Sequence, residues 1–223
     1  MSFKAKAASG EGDFELPPGG TYPAVFIGLI DLGTQTNEFK GEKQVKHKIY
    51  FLWELTSEQN SEGENFVVAK DYTFSLHESA NLRKMIEAYT GKPMTDDQEL
   101  DILIFIGKPC IISLSEGKSG KGHAFVEVTS VGRPMKGQTT PPASRKPYIF
   151  DFEFHPDFKV DPPIPDWVPF LYGRSIVEEI KQSPEWKQGA ALGIPASSTN
   201  GSGAKPMTQA EVNAMNLEEA PAY

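Results

Sequence analysis

The chain has 223 residues, and its 22 Lys plus Arg against 30 Asp plus Glu give a formal net charge of −8. A single cysteine, Cys110, excludes an internal disulfide and any multi-thiolate zinc site, and predicts a reducing, intracellular compartment. No apolar run reaches the roughly 20 residues of a membrane-spanning helix, residues 1–15 carry no apolar segment of a secretory signal, and the acidic balance argues against coating nucleic acid with the whole surface while permitting a local basic groove.

The 20 glycines and 18 prolines predict many short elements joined by turns. Residues 1–19 are small, polar and Gly/Pro-punctuated, and read as a flexible arm. Thr21–Leu32 (TYPAVFIGLIDL) is a strand, followed by a long polar loop over Gly33–Lys43. Gln44–Leu55 (QVKHKIYFLWEL) alternates: His47, Ile49, Phe51, Trp53 and Leu55 fall on one face, and Lys46, Lys48, Tyr50, Leu52 and Glu54 on the other. Phe66–Leu76 is a third strand. The period then changes, and Ser79–Tyr89 sets Leu82, Met85, Ile86 and Tyr89 in one helical stripe, with Gly91 as its stop. Acidic Thr95–Asp101 is a candidate start of a short helix. Leu103–Leu114 is a strand interrupted near Gly107–Pro109, Ser115–Gly122 a hairpin loop and His123–Val131 a last strand.

Strand, strand, strand, helix, strand, strand is the order of the OB-fold, a five-stranded Greek-key barrel with one helix between its third and fourth strands. The predicted organisation is mainly β: a flexible arm over 1–19, the barrel over 20–137, a linker over 138–147, an aromatic and helical extension over 148–187, and a flexible tail over 188–223. Within the extension a helix is expected over Gly173–Gln182, with Ser183-Pro184-Glu185 starting another turn.

The densest chemical signal is cationic. Lys40, Lys43, Lys46 and Lys48 lie within nine residues, opposed only by Glu42. Lys46, Lys48 and Tyr50 share one face of the second strand. Lys70 and Tyr72 share a face of the third and extend the patch, and the fourth–fifth strand loop adds Lys118 and Lys121. An OB-fold binds oligonucleotides on its second and third strands and on these two loops. Lysines neutralise phosphates there and aromatic rings stack bases. Tyr50 and Tyr72 are the expected stacking groups, with Phe39 and Phe125 as further candidates. The competing reading is a solvated strand face. Trp53 shares its face with Ile49 and Phe51, so it is assigned to the core.

No catalytic set is legible. Gly117-Lys118-Ser119 resembles the end of a P-loop, but Ile112 stands where its first glycine belongs. His77-Glu78 lacks the second histidine of a metalloprotease helix. Asp96, Asp97, Glu99 and Asp101 match no calcium loop, and Cys110 reads as a small buried residue. A non-enzymatic chain with no metal and no cofactor is expected.

Several runs resemble one family. They are Tyr22-Pro23-Ala24, Asp31-Leu32-Gly33-Thr34-Gln35, Lys46-His47-Lys48-Ile49 with Trp53-Glu54-Leu55, Tyr72 to Lys84, and Gly107-Lys108-Pro109-Cys110. Together they are similar to bacteriophage OB-fold proteins of the single-stranded DNA-binding kind. The resemblance covers about residues 20–135, and more loosely Ile164–Trp186. It implies sequence-independent binding of single-stranded DNA during phage replication or recombination, in the cytoplasm of the infected bacterial host. An alternative is a protein–protein adaptor of a replication or packaging complex, docking phage or host proteins through Tyr148–Phe158 and Trp167–Trp186. A second copy of the chain is a further candidate partner, and a membrane is not. Glu211, Glu218 and Glu219 ahead of Tyr223 form a candidate recruiting tail; an ordinary flexible tail is the alternative.

Overall fold

A computed structural model describes residues 15–39, 41–120, 122–152, 164–171 and 173–192. The expected arm (residues 1–14 of it), the tail beyond 192, Lys40, Lys121 and residues 153–163 lie outside the described residues. The fold is mainly β. Strands β1 (Gly20–Phe39), β2 (Glu42–Gln59) and β3 (Asn65–Thr73) precede helix α1 (Asn81–Thr90) and a 3-10 turn at Ile102–Phe105. Strands β4 (Pro109–Lys118), β5 (Ala124–Gly132) and β6 (Tyr148–Phe150) and helices α2 (Ile176–Gln182) and α3 (Pro184–Leu192) follow. The sheet runs β3-β2-β1-β4-β5, all antiparallel, and β6 adds a parallel pairing to β1.

Residues Gly33–Lys43, expected as a loop, instead continue both strands as a ladder from Thr34↔His47 to Phe39↔Glu42. At its base Gln35 is buried and donates to Leu32 O and Glu179 O, and from Thr36 outward the described side chains of the ribbon are mostly exposed, which their polarity suits. Leu103–Ile106, expected as strand, is a 3-10 turn closed by Ile106 N–H to Leu103 O, and Asp101 caps it by accepting from Leu103 N–H at 2.9 Å. No helix starts within Thr95–Asp101.

The sheet is covered on both faces. One core gathers Phe26, Phe51, Trp53, Ile112, Val128 and the α1 side chains Leu82, Met85 and Ile86. Phe26 sits at its centre, with the rings of Phe51, Trp53, Tyr89 and Phe105 at 5.4–5.8 Å. A second core lies on the opposite face, where Val25, Ile27, Ile30, Leu32, Tyr50 and Leu52 meet Phe150, Phe152, Leu171, Ile176, Ile180 and Trp186. Alternation along β1 feeds both cores, and a register shift between Phe26 and Gly28 moves the alternation by one residue, so that Leu29 follows Phe26 into the first core.

The second layer is seated by close approach and by caps. A Cβ on Gly28 would stand 2.8 Å from Tyr148 O and 2.6 Å from Leu52 Cδ1, so only glycine lets β6 reach β1 here. At Gly33, φ is +68° and the Ser183 side chain presses within 2.7 Å of a Cβ position. Ser175 and Glu178 form a reciprocal capping box on α2. Pro184 opens α3, whose Trp186 N–H donates to Ser183 Oγ at 3.1 Å.

The segment expected as a linker is fastened down. Buried Glu54 accepts from Ser144 N–H (2.7 Å), Ser144 Oγ (2.8 Å) and Arg145 N–H (3.0 Å), and from Asn65 Nδ2 at 2.7 Å. Arg145 then spans to Asn65 O and Glu64, with its guanidinium 5.8 Å from the Trp167 ring. No helix among the described residues is long and apolar enough to cross a membrane.

Candidate functional site

Directly paired residues of an antiparallel ladder project to the same side. The β2–β3 register pairs Lys48 with Thr73, Tyr50 with Asp71, Ile49 with Tyr72 and Phe51 with Lys70. Lys70 and Tyr72 therefore leave the sheet on the side opposite Lys48 and Tyr50, which corrects the expected shared face. The two expected stacking rings are also buried. Tyr50 is 2% exposed beneath the C-terminal layer, its hydroxyl 3.4 Å from the carbonyl oxygens of Pro169 and Phe170. Tyr72 is 6% exposed and packs edge-on to Phe51. Neither can receive a base. Burial also pushes the Tyr72 hydroxyl well above its ordinary pKa.

Three of the expected lysines do converge. A groove of about 590 Å³ is walled by Asn37, Gln44, Lys46 and Lys48 from the β1–β2 ribbon and by Lys70 to Thr73 from β3. Ser75, His77 and Ser79 to Asn81 lead into α1, and Glu127 comes from β5. The groove wraps the outer edge of β3, so side chains from both faces of that strand reach it. Lys46 is exposed there. Lys48 lies 2.6 Å from Asp71 and Lys70 lies 3.4 Å from Glu127. Lys70 also donates to Val128 O at 2.5 Å, tying the edge of β3 to β5. Lys43 and Lys118 are exposed but stand outside the groove lining. Lys40, Lys121 and the Phe39 side chain are outside the described residues; the Phe39 backbone pairs with Glu42.

Two exposed phenylalanines neighbour the groove-lining residues in sequence, although neither is itself part of the lining. Phe74, 50% exposed, directly follows Thr73 of the lining, and its ring centroid is 5.6 Å from that of His47. Phe125, 44% exposed, sits two residues from Glu127 on the same side of β5, with its ring over Gly117 of the paired strand. Phe125 was a sequence candidate. Phe74 was not, although an aromatic set between Thr73 and Ser75 at a strand end is the available signal.

Below the ribbon, His47 Nε2 is 2.8 Å from Asp31 Oδ1, and Glu185 of α3 accepts from Thr34 N–H (2.9 Å) and Thr34 Oγ1 (2.5 Å). The hydrogen bond to Asp31 raises the His47 pKa, partial burial opposes it, and the charges of Asp31, Glu185 and Asp151 add to the rise.

The other sequence candidates are structural. Cys110 is buried, and burial pushes its thiol pKa up. Asp96 pairs with Arg83 at 2.6 Å, and Trp53 is in the core as expected. Phe150, Phe152 and Trp186, expected on a docking surface, are spent on the second core. Compared with known proteins, the chain matches no family model and no curated protein sequence.

Proposed function

We propose that the protein is a non-enzymatic binder of single-stranded DNA, acting without sequence preference in phage replication or recombination within the infected host. The observation that supports this reading is the groove itself: three lysines of β2 and β3 line it, Lys46 exposed and Lys48 and Lys70 paired with Asp71 and Glu127, and the exposed rings of Phe74 and Phe125 lie close to the lining in sequence. Lysines capture the phosphates, and a ring face accepts any base, which makes such binding tolerant of sequence. The stacking groups are Phe74 and Phe125 in place of Tyr50 and Tyr72. The strand order β3-β2-β1-β4-β5, the helix after β3 and the Lys70 tie between β3 and β5 support an OB-type barrel. In that fold the second and third strands with the neighbouring loops are the usual oligonucleotide surface; here the C-terminal layer covers the part of it at Tyr50 and Leu52, and the groove offers the part that stays open at Lys46, Lys48 and β3.

The molecule is acidic overall, so attraction depends on local charge and must weaken with salt. The test is a fluorescence-anisotropy titration of labelled oligo-dT at rising salt. Binding at low salt, with log K falling linearly in log salt, is expected. Lys46→Glu should weaken binding at least tenfold without changing the unfolding midpoint. No binding by the wild-type protein at low salt removes the reading.

A further inference from the structure

The groove carries its own anions, and they are not equivalent. Asp71 lies 2.6 Å from Lys48, and both side chains are largely withdrawn from solvent, at 15% and 11% exposed. That pair is set into the wall, where both charges are shielded from water and parting them is costly. Glu127 differs. Its side chain is 60% exposed and its oxygen stands 3.4 Å from Lys70 Nζ, while Lys70 keeps a 2.5 Å bond to the Val128 carbonyl. Glu127 can swing into water without stranding Lys70. Meanwhile its carboxylate occupies the position from which a phosphate oxygen would approach the Lys70 ammonium.

We propose that Glu127 is an intramolecular competitor for a phosphate subsite on Lys70, and so sets the affinity and salt dependence of the groove. This rests on the single-strand reading given above. A strand binding at Lys70 must displace a tethered carboxylate that stays beside the phosphate, so the ammonium neutralises less of that phosphate and releases fewer of the cations condensed on the strand. The site is therefore weakened, and Lys70 contributes little to the salt slope. Glu127 also repels the phosphates on either side.

The test compares full-length wild type, Glu127→Gln and Glu62→Gln in oligo-dT titrations over a salt series. Glu62 lies in the exposed β2–β3 turn, outside the groove, and removes the same charge. Glu127→Gln is expected to tighten binding by about two- to fivefold, the range of an exposed ion pair. It should also steepen the log K against log salt slope by roughly 0.7, one more phosphate contact on a single strand. Glu62→Gln should change the slope by much less. In a Lys70→Gln background, Glu127→Gln should gain no more than Glu62→Gln does. If wild type binds but Glu127→Gln matches Glu62→Gln in affinity and slope, the competitor role is overturned and the single-strand reading stands. If wild type does not bind at low salt, the underlying reading fails and the competitor role falls with it.

Discussion

Glu54 is the buried charge on which the C-terminal layer hangs, and Glu54→Ala is expected to destabilise the protein by about 3–5 kcal/mol. The carboxylate is fully buried and accepts four hydrogen bonds, from Asn65, the Ser144 backbone, the Ser144 hydroxyl and the Arg145 backbone. The Arg145 guanidinium is a further 3.6 Å away. Alanine leaves those donors without their acceptor and removes the counter-charge of a mostly buried arginine. Against a total stability of roughly 5–15 kcal/mol, the loss is large. Glu54→Gln keeps the shape and one acceptor oxygen but turns an amide N–H₂ toward other donors, and should cost about 1–3 kcal/mol. Urea unfolding read by tryptophan fluorescence measures both, with Trp167 beside Arg145 as a local reporter. The pH dependence has a defined sign. Burial pushes the Glu54 carboxyl up, but donation from Ser144, Asn65 and Arg145 outweighs it and holds the pKa below the ordinary 4.5. A lowered carboxyl pKa gives stability that is complete above the unfolded value and lost as pH falls through the folded one. Wild type should therefore lose stability below pH 4.5, and Glu54→Gln should lose less over the same range. A cost below about 1 kcal/mol for Glu54→Ala would refute the reasoning, since an exposed ion pair could account for it.

Other consequences are equally open to measurement. Gly28→Ala drives a methyl group into Tyr148 O and Leu52, and should cost about 1–3 kcal/mol in thermal or urea unfolding. The raised His47 pKa gives the opposite pH sign to Glu54. Its contribution is complete below the unfolded value near 6.5 and lost as pH rises through the folded one, so wild type should lose stability across that range and His47→Gln should show a flatter profile. Phe74→Ala and Phe125→Ala should each weaken oligo-dT binding by about 1–3 kcal/mol with the salt slope unchanged, since stacking releases no counterions.

Much of the five-stranded sheet and its helix is legible in the sequence because the strands, α1 and the turns carry distinct periods. Leu82, Met85, Ile86 and Tyr89 marked α1, and Gly91 ended it in the left-handed region at φ 67°. The second core was the harder part. Alternation in Gln44–Leu55 was read as one apolar and one wet face, yet Tyr50 and Leu52 are themselves apolar and Ala24–Ile30 is apolar almost throughout. Such runs indicate a sheet covered on both sides. What covers it lies about a hundred residues away in sequence, in β6, α2 and α3, and no local pattern announces that docking. The same gap explains the misplaced tyrosines. The lysine cluster was legible as composition, but which ammonium groups meet was set by the β2–β3 register, which places Lys48 opposite Thr73 and Lys70 opposite Phe51. Polar Gly33–Lys43 resembles a loop in sequence because the ribbon is mostly exposed from Thr36 outward and its covered base is held by polar contacts of Thr34 and Gln35, so no apolar period marks it.

The claim that the β2–β3 groove receives single-stranded DNA is tested most directly by mapping amide chemical-shift changes as unlabelled oligo-dT is added to isotope-labelled protein at low salt. The account predicts shifts concentrated at Gln44–Lys48, Lys70–Asn81 and Phe125–Glu127, the groove walls and the two exposed rings close to them in sequence. Shifts confined to the opposite end of the sheet around Gln59–Asn65, or none at saturating oligonucleotide, would contradict it.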